Sequence, residues 1–284
     1  MLYLVGTPIG NLEDMTFRGV RILQEVDLIA AEDTRHTGKL LKHFQIQTPQ
    51  ISYHEHNKHK RLTELIQRLQ SGEAIALVTD AGMPGISDPG YELVKACREN
   101  NLPVVPIPGV SAGITALVAS GLQCDRFVFE GFLPTQAKAK GDRLTSLQAE
   151  SRTLVLYEAP HRLLSLLQDL AATLGGDRPI VVARELTKLH EEFWQGSIKA
   201  AIAHYSQRPP KGEFTLVIAG ISQNPTTLTE TEIAAELQQL LEEGMSRSQA
   251  SRHLAQSTDI SRRHIYQIAL SLPNSIENPE ASDY

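Results

Sequence analysis

Charged side chains of the kinds that move protons stand beside short apolar runs in this sequence. Arg184-Glu-Leu-Thr-Lys188 follows the apolar run 179–183, and Lys211-Gly-Glu213 precedes the run 214–219. A carboxylate can accept a proton from a substrate, and a neighbouring cation can make that substrate more acidic. We therefore take Glu185 and Glu213 as candidate bases, with Arg184, Lys188 and Lys211 as cations that hold phosphate or lower the pKa of a hydroxyl group. Asp33, Glu158 and His161 also follow predicted strands and stay open as alternative candidates. For every one of these charged residues, the competing interpretation is a structural salt bridge.

Loops rich in glycine and proline follow three other apolar runs. The longest of these stretches runs from Val78 to Tyr91. Asp80 stands first in its loop, which contains Gly82, Gly85 and Gly90 together with Pro84 and Pro89. Glycine lets backbone approach a ligand closely, and proline holds a loop in one shape. Shorter loops of the same design are Gly6-Thr-Pro-Ile-Gly-Asn11 and Pro108-Gly-Val-Ser-Ala-Gly113. In the second, Ser111 precedes an apolar helix, and the free N–H groups at the N-terminus of a helix suit an anion. The pattern predicts a ligand site, and a plain strand-to-helix connection is the alternative.

The elements that must position these loops alternate between strand and helix. This alternation predicts an α/β fold with a largely parallel sheet, and the pattern restarts near residue 115. We expect an N-terminal lobe over residues 1–115 and a second α/β lobe over 116–221. The lysine-rich segment Thr135 to Arg143 is predicted to be a mobile basic loop, and Leu62 to Leu69 an amphipathic helix.

The last part of the chain, residues 222–284, changes character. A linker (Ser222 to Leu228) precedes a capping-box pattern at Thr229 and Glu232, and short helices are predicted from there to Leu270. The segment resembles a helix-turn-helix bundle and carries Arg247, Arg252, Arg262 and Arg263 against one acid, Asp259. Either a nucleic-acid contact or a packing appendage fits this pattern, and the residues from Pro273 onward are expected to form a frayed tail.

Composition limits the function classes further. The chain is 41% hydrophobic and 21% charged, with a formal net charge of −6, so a nucleic-acid partner requires a local basic patch. Two cysteines far apart indicate neither a disulfide framework nor a zinc site. Glu13 and Asp14 lie where a signal peptide carries basic residues, and no apolar run reaches membrane-spanning length. We therefore predict a cytoplasmic protein without membrane association.

Three histidines, His54, His56 and His59, invite a metal-site hypothesis. Their spacing does not match the helical His-x-x-x-His pair, and Lys58, Lys60 and Arg61 crowd them. A basic surface near a polyanionic substrate is the favoured interpretation, and no metal is expected.

Taken together and in order, these loops resemble those of the tetrapyrrole methylase superfamily, most closely its ribosomal RNA branch. The resemblance covers residues 1 to about 220 and is carried by Leu2-Tyr-Leu-Val-Gly-Thr-Pro-Ile-Gly-Asn-Leu12, Glu32-Asp-Thr-Arg35, Thr79-Asp-Ala-Gly-Met-Pro-Gly-Ile-Ser-Asp-Pro-Gly90, Pro108-Gly-Val-Ser-Ala112, Tyr157-Glu-Ala-Pro-His-Arg162, Arg184-Glu-Leu-Thr-Lys188 and Lys211-Gly-Glu213. It implies two α/β lobes of the tetrapyrrole methylase type with the cofactor cleft between them, plus a small C-terminal helical, helix-turn-helix-like extension. The tail is similar, less distinctively, to an extension found on many members.

The resemblance also implies a cofactor and its contacts. S-adenosylmethionine is the cofactor of the superfamily, which usually forms homodimers, and no G-x-G-x-x-G of the Rossmann type follows the first strand. Cofactor contacts carried over from the family motifs are Ile9, Asp80, Gly82, Met83, Ser111, Ala112, Tyr157, Ala183 and Gly212. Asp80 is the contact that we expect first.

For activity, the resemblance implies 2′-O-methylation of a cytidine ribose in the decoding region of 16S rRNA, either as free RNA or in the small ribosomal subunit. Tetrapyrrole-modifying relatives have Gly-Asp-Pro where this chain has Thr79-Asp80-Ala81, which favours RNA. The RNA path is expected along Arg35, His36, Lys138, Lys140, Arg162 and Arg184. Two alternatives stay open: C-methylation of a tetrapyrrole of the cobalamin or siroheme pathway type, and a non-catalytic nucleic-acid-binding protein acting through the C-terminal helices.

Overall fold

The computed structural model describes residues 1–207, 209–221, 229–258 and 260–272. The chain divides into two compact units, Met1–Ile221 and Ser222–Tyr284. The predicted linker 222–228, Asp259 and the predicted tail from Pro273 lie outside the described residues.

The first sheet of the larger unit is entirely parallel, with strand order β3-β2-β4-β1-β5. Its elements in chain order are β1 (Leu2–Val5), a short 3-10 helix (Leu12–Asp14), α1 (Phe17–Glu25), β2 (Leu28–Ala31), α2 (Thr34–His43), β3 (Gln50–Ser52), α3 (Lys58–Gln70), β4 (Ile75–Val78), α4 (Tyr91–Glu99) and β5 (Val104–Ile107). Strands β2 and β4 are buried along their whole length because helices cover both faces of a parallel sheet, which explains their unbroken apolar sequences.

The second sheet is mixed, with strand order β6-β7-β10-β8-β9. Its elements follow α5 (Ala112–Ala119) and are β6 (Phe127–Phe132), α6 (Ala137–Ser146), β7 (Thr153–Glu158), α7 (Leu163–Leu174), β8 (Pro179–Arg184), β9 (Glu192–Ser197), α8 (Ile198–Ser206) and β10 (Phe214–Ile218). Only β6 and β7 pair in parallel, and the other three pairings are antiparallel. The predicted α/β class is confirmed, but the second lobe has a mostly antiparallel sheet.

Helix α5 links the two sheets and belongs to the core of the second. Its Ala116 and Leu117 are buried against Val155, Val181 and Val217 of that sheet. The predicted lobe boundary at residues 115 and 116 falls inside this helix. Apolar helix residues give no sign in sequence of which of two sheets they will cover.

One local prediction is wrong and another is confirmed with longer bounds. In the lysine-rich segment Thr135 to Arg143, which was predicted to be a loop, only Thr135 and Gln136 precede α6, and the remaining residues form its first two turns. The predicted amphipathic helix Leu62 to Leu69 lies within α3, which begins four residues earlier at Lys58, after an Asn57 whose side chain bonds to the backbone of Ser52 and His54. The basic residues of both segments are therefore held on helices.

The C-terminal unit is a bundle of α9 (Glu230–Glu242), α10 (Arg247–Ser257) and α11 (Arg262–Ser271). These helices enclose a small apolar core that consists of Ile233, Leu237, Ala250, Leu254, Ile265 and Ala269. The predicted capping box at Thr229 and Glu232 is confirmed, and a second one joins Ser246 to Gln249. None of the helices in the described residues is long and apolar enough to span a membrane.

Candidate active site

A cavity of about 480 Å³ lies in the larger unit where strand-end loops of both sheets meet. From the first sheet it is lined by Ile9, Ala81, Gly82, Met83, Ile86, Ser87, Asp88, Ser111 and Ala112. From the second it is lined by Phe132, Tyr157, Glu158, Ala159, Pro160, His161, Leu186, Glu213, Phe214 and Thr215. A mostly apolar cavity of this size with a few polar groups is typical of a small-molecule site at the carboxyl edge of an α/β sheet.

The loops after β1 and β4 are joined to each other, and this fixes the floor of the cavity. The backbone N–H of Thr7 donates to the Gly82 carbonyl at 3.0 Å, and the N–H of Gly82 donates to the Thr7 carbonyl at 3.0 Å. The buried Thr7 hydroxyl donates to the carbonyl of Thr79 at 3.1 Å. Met83, Ile86 and Asp88 follow on this anchored loop.

The loops after β1 and β5 touch backbone to backbone. A Cβ added to Gly6 would lie 2.7 Å from Cα of Gly109 and 2.7 Å from the sulfur of Met83. Real Cβ atoms do not approach that closely, so residue 6 must be glycine for the three loops to converge. The glycines of the sequence pattern therefore shape the cavity by letting loops pack together.

Tyr157 ties the second sheet to the start of α5. Its hydroxyl accepts a hydrogen bond from the backbone N–H of Gly113 at 2.9 Å, and its ring packs edge-on against Phe129 and Phe132. Burial raises the pKa of Tyr157, so the ring stays neutral at physiological pH. The hydroxyl thus serves as a fixed neutral group beside the cavity.

Carboxylates concentrate where the first sheet meets the cavity. The backbone N–H of Asp33 donates to Asp80 Oδ1 at 3.2 Å, and the N–H of Asp80 donates to Glu32 Oε2 at 3.3 Å. Burial, together with the charges of Glu32 and Asp80, raises the pKa of Asp88 to about 7. Burial also raises the pKa of Glu32. A cation in this part of the cavity would relieve the repulsion among these groups.

A lysine network of Glu185, Lys188 and Glu213 occupies the second-sheet side. Lys188 Nζ lies 2.8 Å from Glu185 Oε1 and 2.7 Å from Glu213 Oε2, and the backbone N–H of Glu213 donates to Glu185 Oε1 at 3.0 Å. The loop after β1 packs on it, since a Cβ at Gly10 would lie 3.0 Å from Lys188 Cε. The turn that supplies the network is strained, because Glu185 has φ 51° and Thr187 has φ 65°.

The ionisation states of this network follow from its contacts. Burial raises the pKa of Glu185, but the hydrogen bonds from Lys188 and from the Glu213 backbone outweigh burial and hold that pKa below its ordinary value. Burial lowers the pKa of Lys188, and its two carboxylate partners reverse this and hold it above its ordinary value. At neutral pH, Glu185 is therefore an anion whose Oε1 accepts hydrogen bonds from Lys188 and from the Glu213 backbone, and Lys188 is an ammonium group.

The structure brings most of the predicted cofactor contacts together. Those that line the cavity are Ile9, Gly82, Met83, Ser111, Ala112 and Tyr157. Asp80 does not line the cavity. Its carboxylate accepts a hydrogen bond from the Asp33 backbone and so joins the loop after β4 to the loop after β2. Its contact with the cofactor stays a prediction. Ala183 is fully buried within β8, and Gly212 lies against the side chain of Glu185, so their contacts also stay predictions.

Of the predicted catalytic residues, Glu213 lines the cavity, while Glu185 and Lys188 are joined to it through the network. Lys211 is exposed, and its backbone carbonyl accepts a hydrogen bond from Arg184 Nε at 2.7 Å. The Arg184 guanidinium also pairs with Glu192 at 3.1 Å. Salt bridges, the competing interpretation, do occur here, and they connect the candidates to one another.

The cations predicted to line an RNA path differ in availability. Arg35 is held by Asp33 at 2.7 Å and Lys140 by Asp169 at 2.6 Å, and Arg162 lies 3.3 Å from Glu158. His36 and Lys138 are exposed. The predicted basic surface around His54 is largely neutralised, because Lys58 pairs with Glu55 and Glu92, and Arg61 pairs with Glu64. Within the described residues no cluster of three or more potential metal ligands occurs.

Asp88 and Phe132 are site residues that sequence reasoning did not single out. Asp88 stands in the predicted glycine loop, and its position before Pro89, with Ser87 at φ 62°, was the available signal. Phe132 is the last residue of β6 and stands in Gly131-Phe-Leu-Pro134, a pattern like those of the other loops. Glu158, one of the open alternatives, has a buried Oε2 for which the described residues supply no hydrogen-bond partner.

These features define an α/β protein that holds a small molecule between the loops of two sheets, and comparison with known proteins gives its family. The family model for tetrapyrrole (corrin/porphyrin) methylases matches residues 1–202. A Synechocystis protein named "Ribosomal RNA small subunit methyltransferase I" is 59% identical over 273 residues, which covers 96% of this chain and 98% of that protein. The Streptococcus pyogenes serotype M1 protein of that name is 46% identical over 268 residues, covering 94% and 93%.

A solved structure shares the fold at lower identity. Uroporphyrin-III C-methyltransferase from Thermus thermophilus, complexed with S-adenosylhomocysteine, aligns with a TM-score of 0.53 and 18% identity, covering 76% of this chain and 96% of that one. The chain belongs to the tetrapyrrole methylase family, as its sequence motifs predicted. The curated relatives carry the name of the ribosomal RNA branch to which those motifs pointed.

Proposed function

We propose that this chain is an S-adenosylmethionine-dependent methyltransferase that methylates the 2′-hydroxyl of a cytidine ribose in the decoding region of 16S rRNA. The observation that carries the proposal is the cavity of about 480 Å³, which is lined both by Asp88 and by Glu213, the carboxylate partner of Lys188. The names of the curated relatives support ribosomal RNA of the small subunit as the substrate. The cytidine and its 2′-oxygen rest on the sequence resemblance.

The cavity residues fit the cofactor. S-adenosylmethionine carries a sulfonium and an ammonium group, and Asp88 with the carboxylates behind it suits a cation. The unpartnered Glu158 Oε2 can accept a hydrogen bond from an ammonium or amino group. Met83, Ile86 and Phe132 provide apolar surface for the rest of the molecule. We infer that Ile9, Gly82, Ser111, Ala112 and Tyr157 complete the cofactor site, together with Asp80, Ala183 and Gly212 as the resemblance implies.

The lysine network supplies what the acceptor hydroxyl needs. When bound, S-adenosylmethionine provides an electrophilic methyl group, and a ribose hydroxyl is a weak nucleophile until it loses its proton. Lys188 remains an ammonium group and can stabilise the developing oxyanion. Glu213 lines the cavity and is the better placed of the two candidate bases. Glu185 accepts hydrogen bonds from Lys188 and from the Glu213 backbone at Oε1 and is not among the residues that line the cavity, so we assign it a positioning role.

The RNA path and the oligomer are part of the proposal. We place the RNA along Arg35, His36, Lys138, Lys140, Arg162 and Arg184, where charge favours phosphate. A homodimer is supported by α5, which buries Gly113, Ala116 and Leu117 but leaves Ile114 and Val118 47% and 68% exposed. Apolar side chains at i and i+4 form an exposed stripe of the kind that marks an interface. We include a cytoplasmic location in the proposal, which action on ribosomal RNA supports.

Methyl transfer from labelled S-adenosylmethionine tests the proposal directly. The purified chain is incubated with 16S rRNA or small subunits from a strain that lacks the modification, and with uroporphyrinogen III in parallel. We expect label at one ribose 2′-oxygen of the rRNA, detected by nuclease digestion and mass spectrometry. Label in the tetrapyrrole with none in either RNA substrate would overturn the proposal, and so would label on a base.

A further inference from the structure

The C-terminal unit presents a hollow of about 300 Å³ lined by Ser248 of α10 and by Arg262, Arg263 and Tyr266 of α11. We call these four residues the arginine face. Arg262 Nη2 donates to Ser248 Oγ at 3.1 Å, which orients one guanidinium group across the two helices. Tyr266 is 40% exposed and lies one turn after the arginines, so its ring flanks the hollow.

The arginines of this face are available to an outside partner. Within the described residues, neither Arg262 nor Arg263 has a carboxylate partner, although the neighbouring Asp259 lies outside them. The proposed RNA-path cations Arg35, Lys140 and Arg184 of the larger unit are instead each held by an acid. A guanidinium group has five N–H donors, so Arg262 keeps donors for a ligand beyond the one bonded to Ser248.

Charge is divided unevenly within the C-terminal unit. Helix α9 carries Glu230, Glu232, Glu236 and Glu242, whereas α10 and α11 carry Arg247, Arg252, Arg262 and Arg263. The chain as a whole has a net charge of −6, so a basic face of this kind is a local feature. Such a local concentration attracts a polyanion that the rest of the surface repels.

The helix that presents the face is firmly supported. Ile265 and Ala269 of α11 are fully buried, and the Ser261 hydroxyl accepts a hydrogen bond from the N–H of His264. The side of α11 that carries Ile265 and Ala269 is thus buried in the core of the unit, while Tyr266 and Leu270 on the other side are exposed. A helix that binds lipid needs its apolar side exposed, so a membrane surface is disfavoured as the partner.

We propose that the arginine face binds the phosphodiester backbone of RNA and that Tyr266 stacks on a base. Guanidinium groups match phosphate oxygens in pairs, and aromatic rings beside arginine are a common device for single-stranded RNA. The inference rests on the proposed function, because it makes this face an additional contact with the same rRNA. It gives the C-terminal unit a substrate-binding role separate from the chemistry.

Binding of a fluorescently labelled 16S rRNA fragment, measured by anisotropy at several salt concentrations, tests the inference on the full chain. The test variant is Arg262→Gln/Arg263→Gln, and Tyr266→Ala with Tyr266→Phe examines stacking. The matched control is Arg98→Gln, which removes an exposed arginine at the end of α4, where the chain runs away from the cavity. Circular dichroism melting confirms that each variant is folded.

We expect the double variant to bind roughly tenfold more weakly and its salt slope to fall by about 1.4, or about 0.7 for each lost single-strand phosphate contact. Tyr266→Ala weakens binding without changing the slope, and Tyr266→Phe restores it. Unchanged affinity and slope in the folded double variant would overturn the inference. Binding to phosphatidylserine vesicles is measured in parallel. A double variant that loses vesicle binding but keeps its RNA affinity would also overturn the inference.

Methyl transfer in the same preparations separates this inference from the proposed function. If the unaltered chain methylates rRNA and the double variant binds RNA normally, only the role of the arginine face fails. If the unaltered chain transfers no methyl group to rRNA, the proposed function fails whatever the affinity.

Discussion

Asp88 gives the cavity a pH-dependent affinity for a cationic ligand. Its pKa of about 7 comes from burial and from the charges of Glu32 and Asp80. With that pKa, about one tenth of Asp88 is ionised at pH 6 and about nine tenths at pH 8. If the ionised form holds a positive group of S-adenosylmethionine, affinity for the cofactor should rise about tenfold over this interval. Asp88→Asn should bind weakly at both pH values.

Isothermal titration calorimetry without RNA measures this affinity from pH 5.5 to 8.5. His161 also lines the cavity, so His161→Gln serves as the control that removes an imidazole and keeps the carboxylate. Glu32→Gln removes a like charge from the neighbourhood of Asp88 and should move the midpoint to lower pH. A pH profile that persists unchanged in Asp88→Asn, or disappears in His161→Gln, would refute the reasoning.

Stability supplies a second readout with a definite sign. The folded pKa of Asp88 is raised, so between about pH 4 and pH 7 the folded chain keeps a proton that the unfolded chain has released. Stability therefore falls as pH rises through this window and stays level above it. Full burial would make the effect about 4 kcal/mol, but Asp88 is partly exposed, and screening reduces it to the order of 1–2 kcal/mol. Denaturant melts of Asp88→Asn should lack this decline.

Three further predictions concern other parts of the site. Lys188→Met should lower kcat at least about 100-fold with little change in cofactor affinity. Lys188→Arg should recover part of the rate, and the exposed control Lys95→Met should have a normal rate; single-turnover assays measure all three. Gly6→Ala should lower stability by about 1–3 kcal/mol in thermal melts because of its clash, while Gly141→Ala, where space is open, should not. Val118→Asp should convert the proposed homodimer to monomer in sedimentation velocity, and an unchanged mass would exclude α5 from the interface.

The sequence predicted the strand-end loops well, because their signals are local. Unbroken apolar runs such as Ile75–Val78 occur where both faces of a parallel strand are covered, and a glycine-rich loop then follows. The family resemblance pointed to Ile9, Met83 and Tyr157 as cofactor contacts; all three line the cavity, and their contact with the cofactor stays a prediction. The α/β class follows from the same alternation.

Contacts between residues that are distant in the sequence could not be predicted. Residues 185, 188 and 213 are recognisable as charged, but their joint hydrogen bonding depends on β8 and β10 being neighbours in the sheet. The antiparallel pairing of these strands was not predicted, since apolar patterning is similar for either direction. Asp88 was missed because its raised pKa arises from the fold, which buries it near Glu32 and Asp80.

The charge distribution around the cavity suggests how one site can serve two substrates of opposite charge. The first sheet contributes the acidic side, where Asp88 suits the positive cofactor, and the second contributes Lys188 beside Glu213. The acidic side repels an anionic RNA strand and attracts the positive cofactor. On the second side, Lys188 is paired with both Glu185 and Glu213, so this network has no excess of positive charge with which to attract RNA. Electrostatics therefore favours the cofactor on the acidic side and leaves the RNA backbone to cations outside the network, while Lys188 acts on the acceptor hydroxyl, which methyl transfer requires to be held close to the methyl group.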